Sequence, residues 1–384
     1  MKISLSTNYF IILISFFNLC IIQSPLLGLI PIPGLAYIFL FFLILLMFLL
    51  VNKVEVKYFN FIVLGVFIPT TILSMYWGDL RFFSISFTLF VSVFCIALLR
   101  YEDIKILIDK ITNFLILLLV LCWVGFFVAQ LRDGTPVLTI NLWGRDFFFF
   151  YTTFTVDITG SFIRPSGIYM EPGHLGWIVS CLIFCREFLG LDSKKSLTVV
   201  LLSLITFSLA LYFFIIFYAL YLFKLKSILK FIFIFIFIFI LFYFIFPIEF
   251  FNNFILSRFD YKDGGFSGDN RSFRMINAID LMDLKSFLFG LGPTCFYSFK
   301  ECENTYGFYG ENPLAPILNI GFVLSYLYYT YLILLVYMAF KFKMKYFFLM
   351  LGLVLIFLQQ PVLLQVGYSM WGVLILSLLL RKKE

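Results

Sequence analysis

The chain is poor in charge. Asp, Glu, Lys and Arg make up 13% of its 384 residues, about half the share of a typical soluble domain. Histidine occurs once. There is no Asp-x-Asp pair and no Gly-rich phosphate loop, and Asp260-x-x-Asp263 and Asp280-x-x-Asp283 are poor metal signatures. Metal-ligand types converge nowhere in the sequence, so neither a metal nor another cofactor is expected. Internal repeats and heptad patterns are also lacking, which sets aside solenoids and coiled coils.

What is present is apolar. Hydrophobic residues are 63% of the chain and Phe alone accounts for 56 positions. No soluble fold covers that much apolar surface with so few charges. The fold class expected is an all-α integral membrane protein, with residues 1–384 forming one polytopic domain. The net charge of +7 fits basic residues at cytoplasmic helix ends and calls for no nucleic acid.

A spanning helix needs about 20 mostly apolar residues. Such stretches lie at about 9–24, 34–51, 58–77, 81–99, 111–130, 173–190, 231–246, 313–340, 346–358 and 361–380, with a polar turn expected at 100–110 and a break at Gln359-Gln360-Pro361. The first stretch shows no small-residue cleavage site and reads as an uncleaved anchor. The run 197–223 carries no charge, is long for one span and short for two. As a hairpin it gives about twelve spans with both termini cytoplasmic. Every short basic turn then lies inside, as cytoplasmic loops require. Two long polar stretches, 131–172 and 247–312, then lie outside. Within the second, Phe273, Ile276, Leu281, Leu284, Phe287 and Leu288 are spaced as in an amphipathic helix over 270–289 at the membrane surface.

Chemistry concentrates in these two loops. The first ends in Arg164-Pro-Ser-Gly-Ile-Tyr-Met-Glu171-Pro172-Gly-His174-Leu-Gly176. Glu171 precedes a proline and is biased away from the helical region, whereas Pro172 suits a first helical position. Glu171 is therefore expected to cap the sixth span, with His174 in its first turn. On local grounds a cap paired with Arg164 explains the string as well as catalysis does. The second loop offers Arg258, Arg271 and Arg274, then Gly290-x-Gly292, then Glu311-Asn312-Pro313. Arg271 and Arg274 share a helix face, either as a solvated basic stripe or as a cradle for an anion. Five of the seven cysteines fall in or at spans and read as small apolar residues. Cys295 and Cys302 share the second loop, where an oxidising compartment permits a disulfide.

The R-x-x-G-x-x-x-E-P-x-x-x-G string at 164–176 resembles the signature of the Wzy-type O-antigen polymerase and O-antigen ligase superfamily. The layout is similar too: a dozen spans, two large outer loops, arginines and a G-x-G turn in the second, then N-x-L-x6-G from Asn312 to Gly321. In residues the likeness covers only 164–176 and about 258–321. It implies a GT-C-like membrane glycosyltransferase of the bacterial inner membrane, independent of metal and nucleotide sugar. Its donor and acceptor would be undecaprenyl-pyrophosphate-linked repeat units. A chain-length regulator and membrane lipids are the other partners implied.

The roles then follow from charge. Arg164, Arg258, Arg271 and Arg274, with Asn312, are candidates to bind the pyrophosphate or glycan, because the leaving group develops negative charge. Glu171 and His174 are candidate bases for the attacking hydroxyl. Many relatives carry His just before the Asn of the later span. Glu311 stands there instead, which favours polymerase over ligase and makes Glu311 a rival base. An O-antigen ligase acting on lipid A-core is the alternative within the superfamily. A lipid-linked oligosaccharide flippase is the alternative of another class, opposed by long loops and by spans almost free of charge.

Overall fold

The computed structural model describes residues 3–21, 24, 63–142, 145–156, 158–159, 162–222, 261–262, 265–266, 270–297, 299–307, 312–363 and 368–381. The described residues are mostly helical, at 77%, which is compatible with a membrane protein. The stretches expected to span at 34–51 and 231–246 lie outside the described residues. By length and composition, three helices among the described residues can cross a membrane: Leu80–Leu98, Tyr101–Leu131 and Ala315–Lys341.

Helix α1 (Ile3–Cys20) and α2 (Ile68–Trp77) precede α3 (Phe83–Leu98). Then α4 (Tyr101–Leu131) runs 31 residues, about 46 Å. The polar stretch expected as a turn at 100–110 is in fact its first turns. Ile104, Leu107, Ile108 and Ile111 are buried at helical spacing while Glu102 and Lys110 are exposed, so the polarity is one face of a helix and not an interruption. Asp103 closes a capping box with Arg100 at its start.

The expected sixth span is α5 (Pro172–Leu189), and it is the axis of the fold. From Leu175 to Leu189 every residue is buried, as in a helix packed on all sides. It touches α4, then α6 (Ser193–Ser203) and α7 (Leu209–Leu222), then α13 (Lys343–Gln359) and α14 (Tyr368–Arg381). Its C-terminal end is tied down by a polar network. Arg186, fully buried, donates to Thr112 Oγ1 (2.7 Å), Ser196 Oγ (3.1 Å) and the Asp192 carbonyl (2.8 Å), with Asp109 at 3.8 Å. Glu187 accepts from the Tyr218 and Tyr221 hydroxyls at 2.9 and 3.3 Å. From the sequence alone Arg186 reads as part of a basic turn; the structure gives it a full set of partners, which a buried guanidinium requires.

The charge-free stretch 197–223 is divided. A short 3-10 turn (Leu204–Thr206) and Phe207, at φ 47°, separate α6 from α7. On α6 Ser196 meets Arg186, and just past the turn that follows Ser208 lies against Gly176. Along α7, Leu211 lies against Gly176 and Tyr218 meets Glu187. The two legs therefore run along α5 in opposite directions, as a hairpin does. At 11 residues the first leg, α6, falls short of the roughly 30 Å of a hydrocarbon core.

The first long loop corrects the all-α expectation. It contains an antiparallel sheet of β1 (Leu138–Leu142), β2 (Arg145–Phe149) and β3 (Phe154–Thr155), and a hairpin of β4 (Ile158–Thr159) and β5 (Phe162–Ile163). β-Branched and aromatic residues favour such pairing, and Leu138 pairs with Phe149, Ile140 with Phe147. Nor does the loop stay at the end of the bundle. Thr152 Oγ1 donates to the Leu121 carbonyl at 2.8 Å, and a methyl on Gly125 would strike Thr153. Gly167, at φ 64°, rests on Leu118, near the middle of α4. Thr152, Thr153 and Gly167 thus dip into the bundle before α5 begins.

In the second loop a β6–β7 pair (Tyr261–Lys262, Gly265–Phe266) precedes α8 (Asn270–Asp280), α9 (Leu284–Phe289), α10 (Pro293–Tyr297) and α11 (Phe299–Tyr306). The helix expected over 270–289 is two helices. Asp283 stops the first and caps the second, accepting from Ser286 N at 2.6 Å, a bond that holds its carboxyl below the usual range. Cys295 and Cys302 are disulfide-bonded. The next helix, α12 (Ala315–Lys341), is bent at Gly321 (φ 65°, ψ 165°), a conformation open essentially to glycine alone. Tyr329 Oη donates to the Pro313 carbonyl (2.7 Å), so the short leg before the bend folds back along the long one. As expected, the helix ends at Gln359 and Gln360 leaves the helical path.

Both long loops leave the bundle at one end. Arg186 at the C-terminus of α5 meets Asp109 and Thr112 near the start of α4, so the first loop, joining the opposite ends, is remote from them. Arg381 donates to the Leu99 and Ile96 carbonyls at the C-terminus of α3. The second loop docks at the other end of α3, where Trp77 Nε1 donates to the Phe289 carbonyl (2.9 Å). Arg100, Arg186, Lys195 and Arg381 thus gather opposite the loops.

Candidate functional site

The signature string is built round the N-terminus of α5. Glu171 is extended (φ −144°, ψ 152°) as a residue before proline must be, and Pro172 opens the helix. Both His174 N (3.0 Å) and Leu175 N (3.3 Å) donate to the Glu171 carbonyl. Its side chain makes no capping hydrogen bond, contrary to the expected cap. Glu171 and His174 are half-buried and adjoin Tyr368, whose ring stands 5.3 Å from the imidazole and whose hydroxyl is within electrostatic reach of the carboxylate.

Arg164 belongs to the same neighbourhood but on another face. Its Nη2 donates to the Phe207 carbonyl at 3.1 Å, and its own carbonyl accepts from Thr155 Oγ1 at 2.8 Å. It thereby joins the first loop to the turn of the α6–α7 hairpin, beside Gly176. Gly176 is required there: a methyl would crowd Ser208 and Leu211. Gly173 lies under Gln360, whose amide nitrogen would have to shift for a side chain there.

Between Arg164 and Glu171 the chain is irregular yet buried. Pro165, Ser166, Gly167 and Tyr169 are all inside. Its backbone is satisfied internally: Phe154 N donates to the Gly167 carbonyl and Ser166 N to the Phe154 carbonyl (each 2.8 Å), and Gly167 N donates to Thr153 Oγ1 (2.9 Å). Non-helical backbone inside a membrane bundle persists only where protein satisfies it or where it lines a cavity.

The second-loop candidates lie where that loop meets α12. Asn312 is buried, and its Oδ1 accepts from Leu314 N at 2.7 Å, starting the folded-back leg. Arg274 on α8 is 9% exposed, so it is no solvated stripe. Arg271 is on the same helix. Arg258 and Glu311 lie outside the described residues. The G-x-G turn proves structural: Leu291 N donates to the Leu318 carbonyl (2.7 Å), and Gly290 packs against the backbone of Leu318–Gly321. A methyl on Gly321 would collide with the Leu288 carbonyl.

Contacts lead from this loop end to the signature helix. Pro313 bonds Tyr329; neighbouring Tyr328 Oη donates to the Phe357 carbonyl (2.8 Å); Phe357 packs 5.2 Å from Trp177, one turn below His174. Sequence reasoning missed Trp177, Gln360 and Tyr368 altogether. No signal marked them, since each sits in an apolar run or at its edge. Among the described residues no group of three or more His, Cys, Asp or Glu is placed to hold a metal ion.

No family model, no curated protein and no solved structure matches this chain.

Proposed function

We propose that the chain polymerises undecaprenyl-pyrophosphate-linked oligosaccharide repeat units into surface polysaccharide, at the outer face of the bacterial inner membrane. The observation that carries this reading is the placement of the 164–176 string. Glu171 and His174 are half-buried at the head of the buried axial helix, Arg164 lies in the same neighbourhood on the Phe207 carbonyl, and an irregular buried segment joins them. That is a fixed setting for a base and a cation at the mouth of a bundle. The two loops share one end, and Arg100, Arg186, Lys195 and Arg381 gather at the other. By the positive-inside rule the loop end is then the outer one, with both termini cytoplasmic. The disulfide in the second loop fits an oxidising outer compartment. About twelve spans accommodate this arrangement.

In this reading Glu171 accepts the proton of the attacking sugar hydroxyl. The C1–phosphate bond of the donor breaks, and the lipid pyrophosphate departs with the electron pair. Arg164, Arg258, Arg271 and Arg274 are the cations that meet its charge, with Asn312 on the glycan or diphosphate; His174 and Glu311 are the other candidate bases. Deletion of the gene, followed by gel analysis of surface glycan, tests the reading. A polymerase deletion leaves one repeat unit on its acceptor. A ligase deletion leaves none and accumulates glycan on the lipid carrier. Unchanged long-chain glycan would remove both.

A further inference from the structure

Under the half-exposed Glu171 and His174 lies a group of buried polar atoms that no described residue satisfies. They are Tyr169 Oη, His174 Nδ1, Trp177 Nε1, Gln360 Oε1 and Tyr368 Oη. Four of these residues are at least nine-tenths buried: Tyr169 and Trp177 at 0% exposure, Tyr368 at 4% and Gln360 at 6%. They come from three separate segments and meet in one place. Tyr368 is the hub, its ring 5.3 Å from His174 and 5.1 Å from Trp177. Tyr169 lies within electrostatic reach of it, and Gln360 presses on Gly173.

Native proteins leave few such atoms unbonded, because each is costly. Five on neighbouring side chains point to a polar guest. The set is uncharged apart from the imidazole and offers both signs of hydrogen bond. Trp177 can only donate, the Gln360 oxygen can only accept, and the two tyrosine hydroxyls and His174 can do either. An anion would find the Glu171 carboxylate beside it and no fixed cation among the five. A hydroxyl-bearing guest fits: its O–H groups donate and accept in turn, and aromatic walls suit the C–H faces of a sugar ring.

We propose that Tyr169, His174, Trp177, Gln360 and Tyr368 form a hydroxyl-binding pocket that seats the acceptor sugar with its attacking O–H at Glu171. This inference rests on the polymerase reading and names the acceptor half of its site. The roof of the cluster, at Glu171, Gly173 and His174, is half-exposed, so the pocket meets the surface at the residue that takes the proton.

The test uses full-length protein in liposomes of bacterial phospholipid, supplied with purified lipid-linked repeat units from the native host. Chain extension is measured against repeat-unit concentration for wild type, Tyr368→Phe and Gln360→Leu. Each variant removes a polar atom that has no partner among the described residues. Thermal stability should therefore hold or rise, whereas KM should rise about 3- to 10-fold per lost hydrogen bond, with a smaller change in kcat. Unchanged KM in both stable variants overturns the pocket and leaves the polymerase reading standing. A fall in kcat alone overturns the pocket as well, for then the atoms hold water and not the sugar. Should Tyr368→Phe lose stability, Gln360→Leu and Trp177→Phe decide by the same KM criterion. Wild-type protein that extends nothing removes the polymerase reading, and this inference with it.

Discussion

At the scale of single residues, Glu171 separates two explanations of the same string. A cap would be tolerant of change, since Asp and Asn cap as well as any residue. The carboxylate makes no capping bond here, and it lies within electrostatic reach of Tyr368. Arg164 is a different case, because it already has a structural partner in the Phe207 carbonyl. Arg164→Lys keeps a charge but loses the planar fork, so it should accumulate in the membrane at near-normal level yet polymerise slowly. Quantitative blotting beside a glycan ladder reads both, and full chain length from Arg164→Lys would show that charge alone suffices. Gly321 is a third kind of residue. Its conformation and the Leu288 carbonyl against it leave no room for a methyl, so Gly321→Ala should cost about 1–3 kcal/mol from the backbone alone. A lowered melting temperature of detergent-purified protein checks this.

Among elements, α5 is the most legible in the sequence and its surroundings the least. Its start follows from Glu171-Pro172, and its burial from a sequence with only Arg186 and Glu187 to interrupt it. The start of α4 is harder to read, because its polar residues resemble a turn until Ile104, Leu107, Ile108 and Ile111 are seen to mark one face of a helix. The strands of the first loop escape notice because Leu138–Leu142 and Arg145–Phe149 are short. The pocket beneath Glu171 is illegible for a further reason: Gln360 and Tyr368 reach it from almost two hundred positions away, and only packing brings them to Gly173 and His174. Conversely the sequence shows the disulfide only as permitted, and α10 and α11 bring its cysteines to a Cα separation of 4.6 Å. The network round Arg186 makes its own forecast. Arg186→Met leaves Thr112, Ser196 and the Asp192 carbonyl without their donor, and should destabilise by about 3–5 kcal/mol. Because Arg186 is remote from the loop end, whatever folded protein remains should keep its affinity for repeat units; a raised KM with intact folding would contradict that separation.

For the whole molecule the arrangement is of two ends. Arg100, Arg186, Lys195 and Arg381 lie at one, the two long loops at the other, and α5 connects them with a charged network at its foot and the signature string at its head. At 18 residues, about 27 Å, α5 matches the apolar thickness of a bilayer. Reporter fusions inserted at Gly134 in the first loop and at Gly307 in the second should both report the outer side. Readings on opposite sides would divide the site that the polymerase account requires to be shared.

The most direct measurement is chain extension by the reconstituted full-length protein, wild type against Glu171→Gln, on purified lipid-linked repeat units. The substitution keeps the size of the side chain and removes its basicity, and a general base contributes about 10²–10⁴-fold in rate. The account predicts a ladder of extended glycan from wild type and single-repeat substrate from Glu171→Gln at equal protein level and equal melting temperature. A ladder of normal length and rate from Glu171→Gln would contradict it.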